Sequence, residues 1–145
     1  MRANLPISES SIIPALRYRN APAMIDWLCR AFGFEKHAVY EDGEGGIAHA
    51  QLRYGGGMLM LGSARDDAYG RRMAAPSEIG GRNTQALCVI VTDADAHLAQ
   101  ALAAGAEIVD PISDQDYGGR GYGCRDPEGH LWWFGTYNPW AAALS

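Results

Sequence analysis

No stretch of this chain approaches the about 20 consecutive apolar residues that a helix needs to cross a bilayer. The opening residues, MRANLPISES, lack the apolar centre of a secretion signal. Lys and Arg nowhere form a dense run, and the formal net charge is −5, which argues against a nucleic-acid footprint. Cysteine is scarce: Cys29, Cys88 and Cys124 make neither a CxxC pair nor an even set, so no thiolate metal site and no disulfide framework is indicated. A reduced, cytoplasmic protein without membrane or nucleic-acid partners is expected. Mild acidity favours cationic or neutral ligands as a weak, averaged bias.

What is present fits one domain with a real core. The chain has 145 residues, 48% hydrophobic and 20% charged, in the usual range for a folded domain. Its most informative stretch is Asp116–Pro139, DYGGRGYGCRDPEGHLWWFGTYNP. Asp126-Pro127-Glu128-Gly129 reads as a tight turn, with Pro127 presetting φ. The flanking runs Gly121–Arg125 and His130–Phe134 read as the two strands of a hairpin. Adjacent tryptophans on a strand must face opposite ways: Trp132 and Phe134 go to one side, Trp133 to the other.

Upstream, Ser11–Arg19 reads as a strand, with Pro14 marking an edge or bulge. Asn20 caps a helix with Pro22 in its first turn, and Ile25, Leu28, Cys29 and Phe32 follow at helical spacing. Gly33 stops it. Phe34–Tyr40, the alternating Ile47–Tyr54 and Met58–Leu61 are three further strands. Gly62–Arg82 has no periodicity and reads as a long surface loop. The same grammar then restarts. Thr84–Thr92 is a strand, and Asp93 caps a helix striped by Leu98, Ala101 and Leu102 that stops at Gly105. Glu107–Asp110 is a strand closed by Pro111, and the hairpin follows.

This is an internal repeat. The interval from Gly33 to Gly57 equals that from Gly105 to Gly129. Two βαβββ modules result, residues 11–62 and 83–137 joined by a 63–82 linker, and the fold class is α+β. A helix covers one face of each sheet, and the other face must find a partner.

The repeat, together with DPEGH-LWWFG in its second copy and Tyr117-Gly118-Gly119-Arg120 before it, resembles the vicinal oxygen chelate superfamily, in its glyoxalase/bleomycin-resistance branch. That resemblance implies a curved mixed sheet around a pocket with helices outside, and frequent homodimers. Metal enzymes of the superfamily take one ligand from the first and one from the last strand of each module. Carried over, those positions fall near Ile13, Met60, Leu87 and Trp133; aligning Gly55–Gly57 the other way replaces Met60 with Leu59 or Leu61. None is His, Glu or Asp, so no metal and no cofactor is expected, and a small-molecule binder is the first functional expectation. A divergent glyoxalase-like lyase or isomerase is the alternative.

Several side chains carry these readings. Trp133 either offers a stacking platform or fills the space a metal would leave. His49 and Gln51 lie opposite Ala48, Ala50 and Leu52, so His49 enters the pocket as a hydrogen-bonding group, a general base or a plain core histidine. Counting back from the two turns makes Tyr122 and Cys124 the counterparts of His49 and Gln51, with Tyr122 either a ligand contact or a structural tyrosine and Cys124 an inert thiol. Arg17 shares a strand face with Ile13. In glyoxalase-like relatives an arginine at this place reaches a ligand carboxylate; otherwise it is an exposed edge residue. Arg120 is expected to pair with Asp116 or Asp126, while His37 and His97 read as surface residues.

Overall fold

The structure, a computed structural model, describes residues 9–141; most of the polar lead-in, residues 1–8, lies outside them. The chain divides into two compact units between Ala75 and Pro76, and each carries one βαβββ set. The first contains β1 (Ala15–Tyr18), α1 (Ala21–Phe32), β2 (Glu35–Glu41), β3 (Ile47–Tyr54) and β4 (Gly57–Ser63). The second contains β5 (Leu87–Ile90), α2 (Ala94–Ala103), β6 (Glu107–Asp114), β7 (Arg120–Arg125) and β8 (Leu131–Gly135). The sheets are ordered β1-β4-β3-β2 and β5-β8-β7-β6. In each, the first and last strands pair in parallel and the others antiparallel. The α+β class and the two-module organisation are as the sequence indicates.

Helix ends follow their capping residues. Asn20 Oδ1 accepts the Ala23 N–H at 3.3 Å, and Asp93 Oδ1 accepts that of Ala96 at 3.0 Å, satisfying first-turn donors that have no partner inside the helix. Gly33 ends α1 in the left-handed region, φ 87°, where a side chain would be strained. Under α1, its Met24, Ile25, Trp27, Leu28 and Phe32 meet Leu16, Tyr18, Ala50, Leu52, Leu59 and Leu61 from the strands, all buried. Fully burying one such side chain contributes about 1.5–3 kcal/mol.

The second helix departs from expectation. Its buried line is Ala94, His97 and Ala101, while Leu102 is 52% exposed. His97 is therefore no surface residue. Its imidazole lies 4.1 Å from the Phe134 ring, and Nδ1 is 2.6 Å from the Tyr122 hydroxyl. A phenol across the interface satisfies the imidazole, and small alanines let the helix approach that closely. β6 does not end at Pro111 either. It runs on to Asp114 as an edge strand, where a proline's missing donor is tolerated, with register shifts on both sides of Asp110.

The Asp126–His130 turn has a keystone. The buried Asp126 carboxylate accepts the N–H groups of Glu128 at 3.0 Å and His130 at 3.1 Å on Oδ1, and the Trp132 indole N–H at 3.0 Å on Oδ2. Arg120 does not join it. Its guanidinium pairs with Asp95, at 2.9 and 3.2 Å, and with Asp114 at 3.3 Å, tying β7 to the first turn of α2. No helix among the described residues is long and apolar enough to cross a membrane.

Candidate functional site

Each sheet turns one face to its helix and leaves the other open. On the open face of the first sheet, strand alternation places Ala15 and Arg17 of β1, His49 and Gln51 of β3, and Met60 and Gly62 of β4. A cleft of about 220 Å³ there is lined by Arg17, His49, Met60 and Tyr69, among others. The predicted set of Arg17, His49, Gln51 and Met60 thus shares one face. Arg17 stretches across Gly62, where a side chain would collide with the guanidinium. It donates to the Ser63 carbonyl at 3.3 Å, and its Cζ sits 4.4 Å from the centre of the Tyr69 ring, a cation–π contact. Tyr69 comes from the loop that carried no periodicity, so nothing in the sequence pointed to it.

His49 is held by its own strand. The Gln51 amide nitrogen is 3.1 Å from His49 Nε2. An amide nitrogen only donates, so in this arrangement Nε2 accepts and the neutral ring carries its proton on Nδ1. The Tyr40 ring stacks alongside, centroids 6.2 Å apart. Among the described residues no carboxylate bonds Nδ1, so the pairing that orients and strengthens a general base is missing. Ile13 precedes β1, is 37% exposed, and does not line this cleft.

The open face of the second sheet is built differently. Cys88 pairs with Trp133 in the β5–β8 register and Gly123 pairs with Trp133 in the β7–β8 register, so these positions share the open side. Leu87, paired with Trp132, is buried on the helix side, which corrects the expectation that it lines the pocket. Tyr122 and Cys124 pair with Phe134 and Trp132 and are likewise fully buried against the helix, where the Tyr122 hydroxyl meets His97. The cause is turn length. The first hairpin closes through Gly55 and Gly56 after the Tyr54–Gly57 pair, whereas the second bulges into the longer Asp126–His130 turn beyond Arg125–Leu131. Counting back from the turn glycines therefore slips one residue, and one residue inverts a strand. The true counterparts of His49 and Gln51 are Gly121 and Gly123.

Those glycines make a bare floor, and the Trp133 indole lies across it. A Cβ on Gly121 would sit 2.7 Å from Trp133 Cζ2, and one on Gly135 would sit 2.9 Å from its Nε1. The half-buried ring borders a cleft of about 550 Å³ lined also by Cys88, Asp110, Ser113, Gln115 and Tyr117. Tyr117 is propped by Tyr137, edge to face at 5.0 Å. Gly119 permits this close approach, because a Cβ there would lie 2.5 Å from the Tyr137 nitrogen. Cys88 and Asp110 are residues the sequence reading missed. Correct strand parity, Cys88 beside Leu87 and Asp110 at the edge-strand proline, was the available signal.

Thiol chemistry separates the cysteines. Burial, followed by the Asp126 charge, pushes Cys124 up to about 12, and burial also raises Cys29; both are held as thiols. Cys88 is exposed. For a divalent ion, the open-side positions on the paired parallel strands are Ala15 and Met60 in the first module and, separately, Cys88 and Trp133 in the second. Three or four N/O donors are needed, and these four side chains supply none. Among the described residues there is no group of three or more His, Cys, Asp or Glu able to hold a metal. The donor set does not fit the ion used by the metal enzymes that the sequence resembles.

Comparison with known proteins gives concordant matches. The family model described as "Glyoxalase/Bleomycin resistance protein/Dioxygenase superfamily" matches residues 13–134. An uncharacterized protein of Mycobacterium bovis is 32% identical over 127 residues, covering 88% of this chain and 83% of its own length. The crystal structure of TioX from Micromonospora sp. ML1 is 34% identical, with a TM-score of 0.67, covering 89% of this chain and 99% of that one. The fosfomycin resistance protein FosX from Mesorhizobium loti shares the fold alone, with 14% identity, a TM-score of 0.61, and coverage of 90% and 94%.

Proposed function

The chain belongs to the glyoxalase/bleomycin resistance protein/dioxygenase superfamily, and on that premise we propose that it binds a flat, largely apolar small molecule without a resident metal. The observation that carries the proposal is the Trp133 indole laid over Gly121 and Gly135 with a partly open face in a cleft. An aromatic side chain serving only as filler would be enclosed, as Trp132 is at 2% exposure. An indole held flat by its own strand has little freedom left to lose when a second ring stacks on it, so ordering costs little. The thioether, thiol and indole positions that replace the metal ligands favour an apolar or π-rich guest over a chelated one.

Acridine, uncharged at mildly alkaline pH, is a suitable probe. Titration should quench tryptophan emission saturably, and Trp133→Leu should weaken binding about tenfold, the loss of roughly 1.4 kcal/mol of stacking. Excess EDTA should change nothing. Abolition of binding by the chelator, or an unaltered affinity in Trp133→Leu, would sink the proposal.

A second reading, a metal-independent lyase or isomerase with His49 as base, draws on the placement of His49 beside Arg17 in the first cleft. It ranks lower because Gln51 occupies Nε2 and Nδ1 lacks a carboxylate. It requires that His49→Ala abolish turnover of a glyoxalase-type hemithioacetal while leaving the thermal melt unchanged; a wild-type protein without turnover removes it.

A further inference from the structure

We infer that the second sheet's cleft selects a ligand whose flat body carries a delocalised positive charge, with Asp110 as the counter-charge that specifies it. This deepens the binding proposal and rests on it.

Asp110 stands where β6 twice slips register against β7, between Ile108 and Asp110 and again between Asp110 and Ser113. Such irregularities re-aim side chains. Here the carboxylate is laid over Gly123, where an added Cβ would fall 2.6 Å from Oδ2. The glycine thus leaves room for an acid on the open face, beside the indole that occupies the neighbouring floor. The first module has Ala38 in the place of Asp110 and Gln51 in the place of Gly123, so this acid is an addition to the shared scaffold and not part of it.

The carboxylate is uncompensated. Among the described residues, no side chain donates a hydrogen bond to it and no cation pairs with it. Neighbouring acids differ: Glu107 faces Arg125 and Asp114 faces Arg120. The lining of the cleft contains no Lys, Arg or His. Its rings, Trp133 and Tyr117, present π faces that attract a cation directly. Carboxylate and rings therefore favour the same guest, a planar cation, and both disfavour an anion. A neutral guest would stack equally well but leave the carboxylate unanswered.

The test is a matched series: N-methylacridinium, acridine and acridine-9-carboxylate, titrated at mildly alkaline pH by tryptophan quenching and calorimetry. In the wild-type chain the cation should bind about tenfold more tightly than acridine, with the carboxylate weakest, and added salt should erode the difference. Asp110→Asn, close in shape, should reduce the ratio of cation to acridine affinity to within about twofold. Should Asp110→Asn lose its far-UV signal, Asp110→Ser carries the same expectation. Equal affinity for cation and neutral compound in the wild type, or an unreduced cation preference in the variants, overturns charge selection while binding stands. Failure of all three to bind overturns the binding proposal and this inference together.

Discussion

The two modules share strand order, pairing and capping, yet their open faces have little chemistry in common. Where β3 carries His49 and Gln51, β7 carries Gly121 and Gly123. Met60 corresponds to Trp133, Ala38 to Asp110, Ala15 to Cys88 and Arg17 to Ile90, as the registers align them. The pair of glycines enables the other differences. Once the two central side chains shrink to hydrogen, an indole from the next strand can lie flat and an acid from the edge strand can reach inward. The first face keeps hydrogen-bonding groups and a cation, and the second becomes a π surface with an anion. A duplicated scaffold can thus present opposite chemistries by changing which strand fills the space.

The modules also differ in how their hairpins are held, and this difference should have the largest consequence. The second turn depends on the Asp126 carboxylate. Asp126→Ala would leave two backbone donors and the Trp132 indole N–H without it, and an unsatisfied buried donor costs about 1–3 kcal/mol. A loss of about 4 kcal/mol is expected in denaturant unfolding, with Asp126→Asn intermediate. Among the described residues no carboxylate bonds the backbone of the first turn in this way. Gly55 adopts φ 54° with nothing within 4 Å of an added Cβ, so Gly55→Ala should cost only the left-handed backbone penalty of about 1 kcal/mol. Equal losses at the two turns would break the contrast.

A somewhat smaller effect is expected at the floor. A Cβ at Gly121 would meet the Phe134 carbonyl oxygen and Trp133 Cζ2, both at 2.7 Å. Backbone cannot yield as a flexible side chain would, so Gly121→Ala should cost about 2 kcal/mol and shift the emission of the displaced indole. The reciprocal change, His49→Gly, removes a side chain from a face with room and should cost about 1 kcal/mol, chiefly strand entropy. Unchanged emission in Gly121→Ala would mean that the glycine does not seat Trp133.

Much of this fold could be read from local signals. Asn20, Asp93 and Gly33 declare helix ends by chemistry that acts within a few residues, and alternation alone separated Trp133 from Trp132 and put His49 with Gln51. Four placements were not legible, each for a nonlocal reason. Tyr122 was assigned through the repeat, and the extra length of the Asp126–His130 turn inverted its parity; Leu87 was assigned through the family resemblance, and its side is set by its pairing with Trp132 on the distant β8. His97 looked like a surface residue because its partner, the Tyr122 hydroxyl, lies 25 positions away. Arg120 was matched to nearby acids, whereas its principal partner, Asp95, is equally remote. Sequence proximity is a poor guide to which acid a long guanidinium reaches.

That Arg120 pair supplies the smallest expected effect and a last contrast between modules. Two aspartates are held below the ordinary carboxylate value of 3.8, by different means. Asp95 is lowered first by its hydrogen bonds to Arg120. Asp42 is lowered by the backbone N–H groups of Glu44 and Gly46, at 2.7 and 3.0 Å, with Arg65 a lesser contributor. Because both folded values are depressed, each stabilising contribution is fully present above the ordinary carboxylate value and fades as pH falls through the folded one. Salt should tell them apart, since it screens an exposed ion pair but not a hydrogen bond to fixed backbone. In an NMR titration of the side-chain carboxyl carbons, raising salt should move Asp95 back toward the ordinary value and leave Asp42 nearly still. Arg120→Gln should do the same to Asp95 without salt. An Asp42 that follows Asp95 in either experiment would mean that charge, not backbone geometry, holds both.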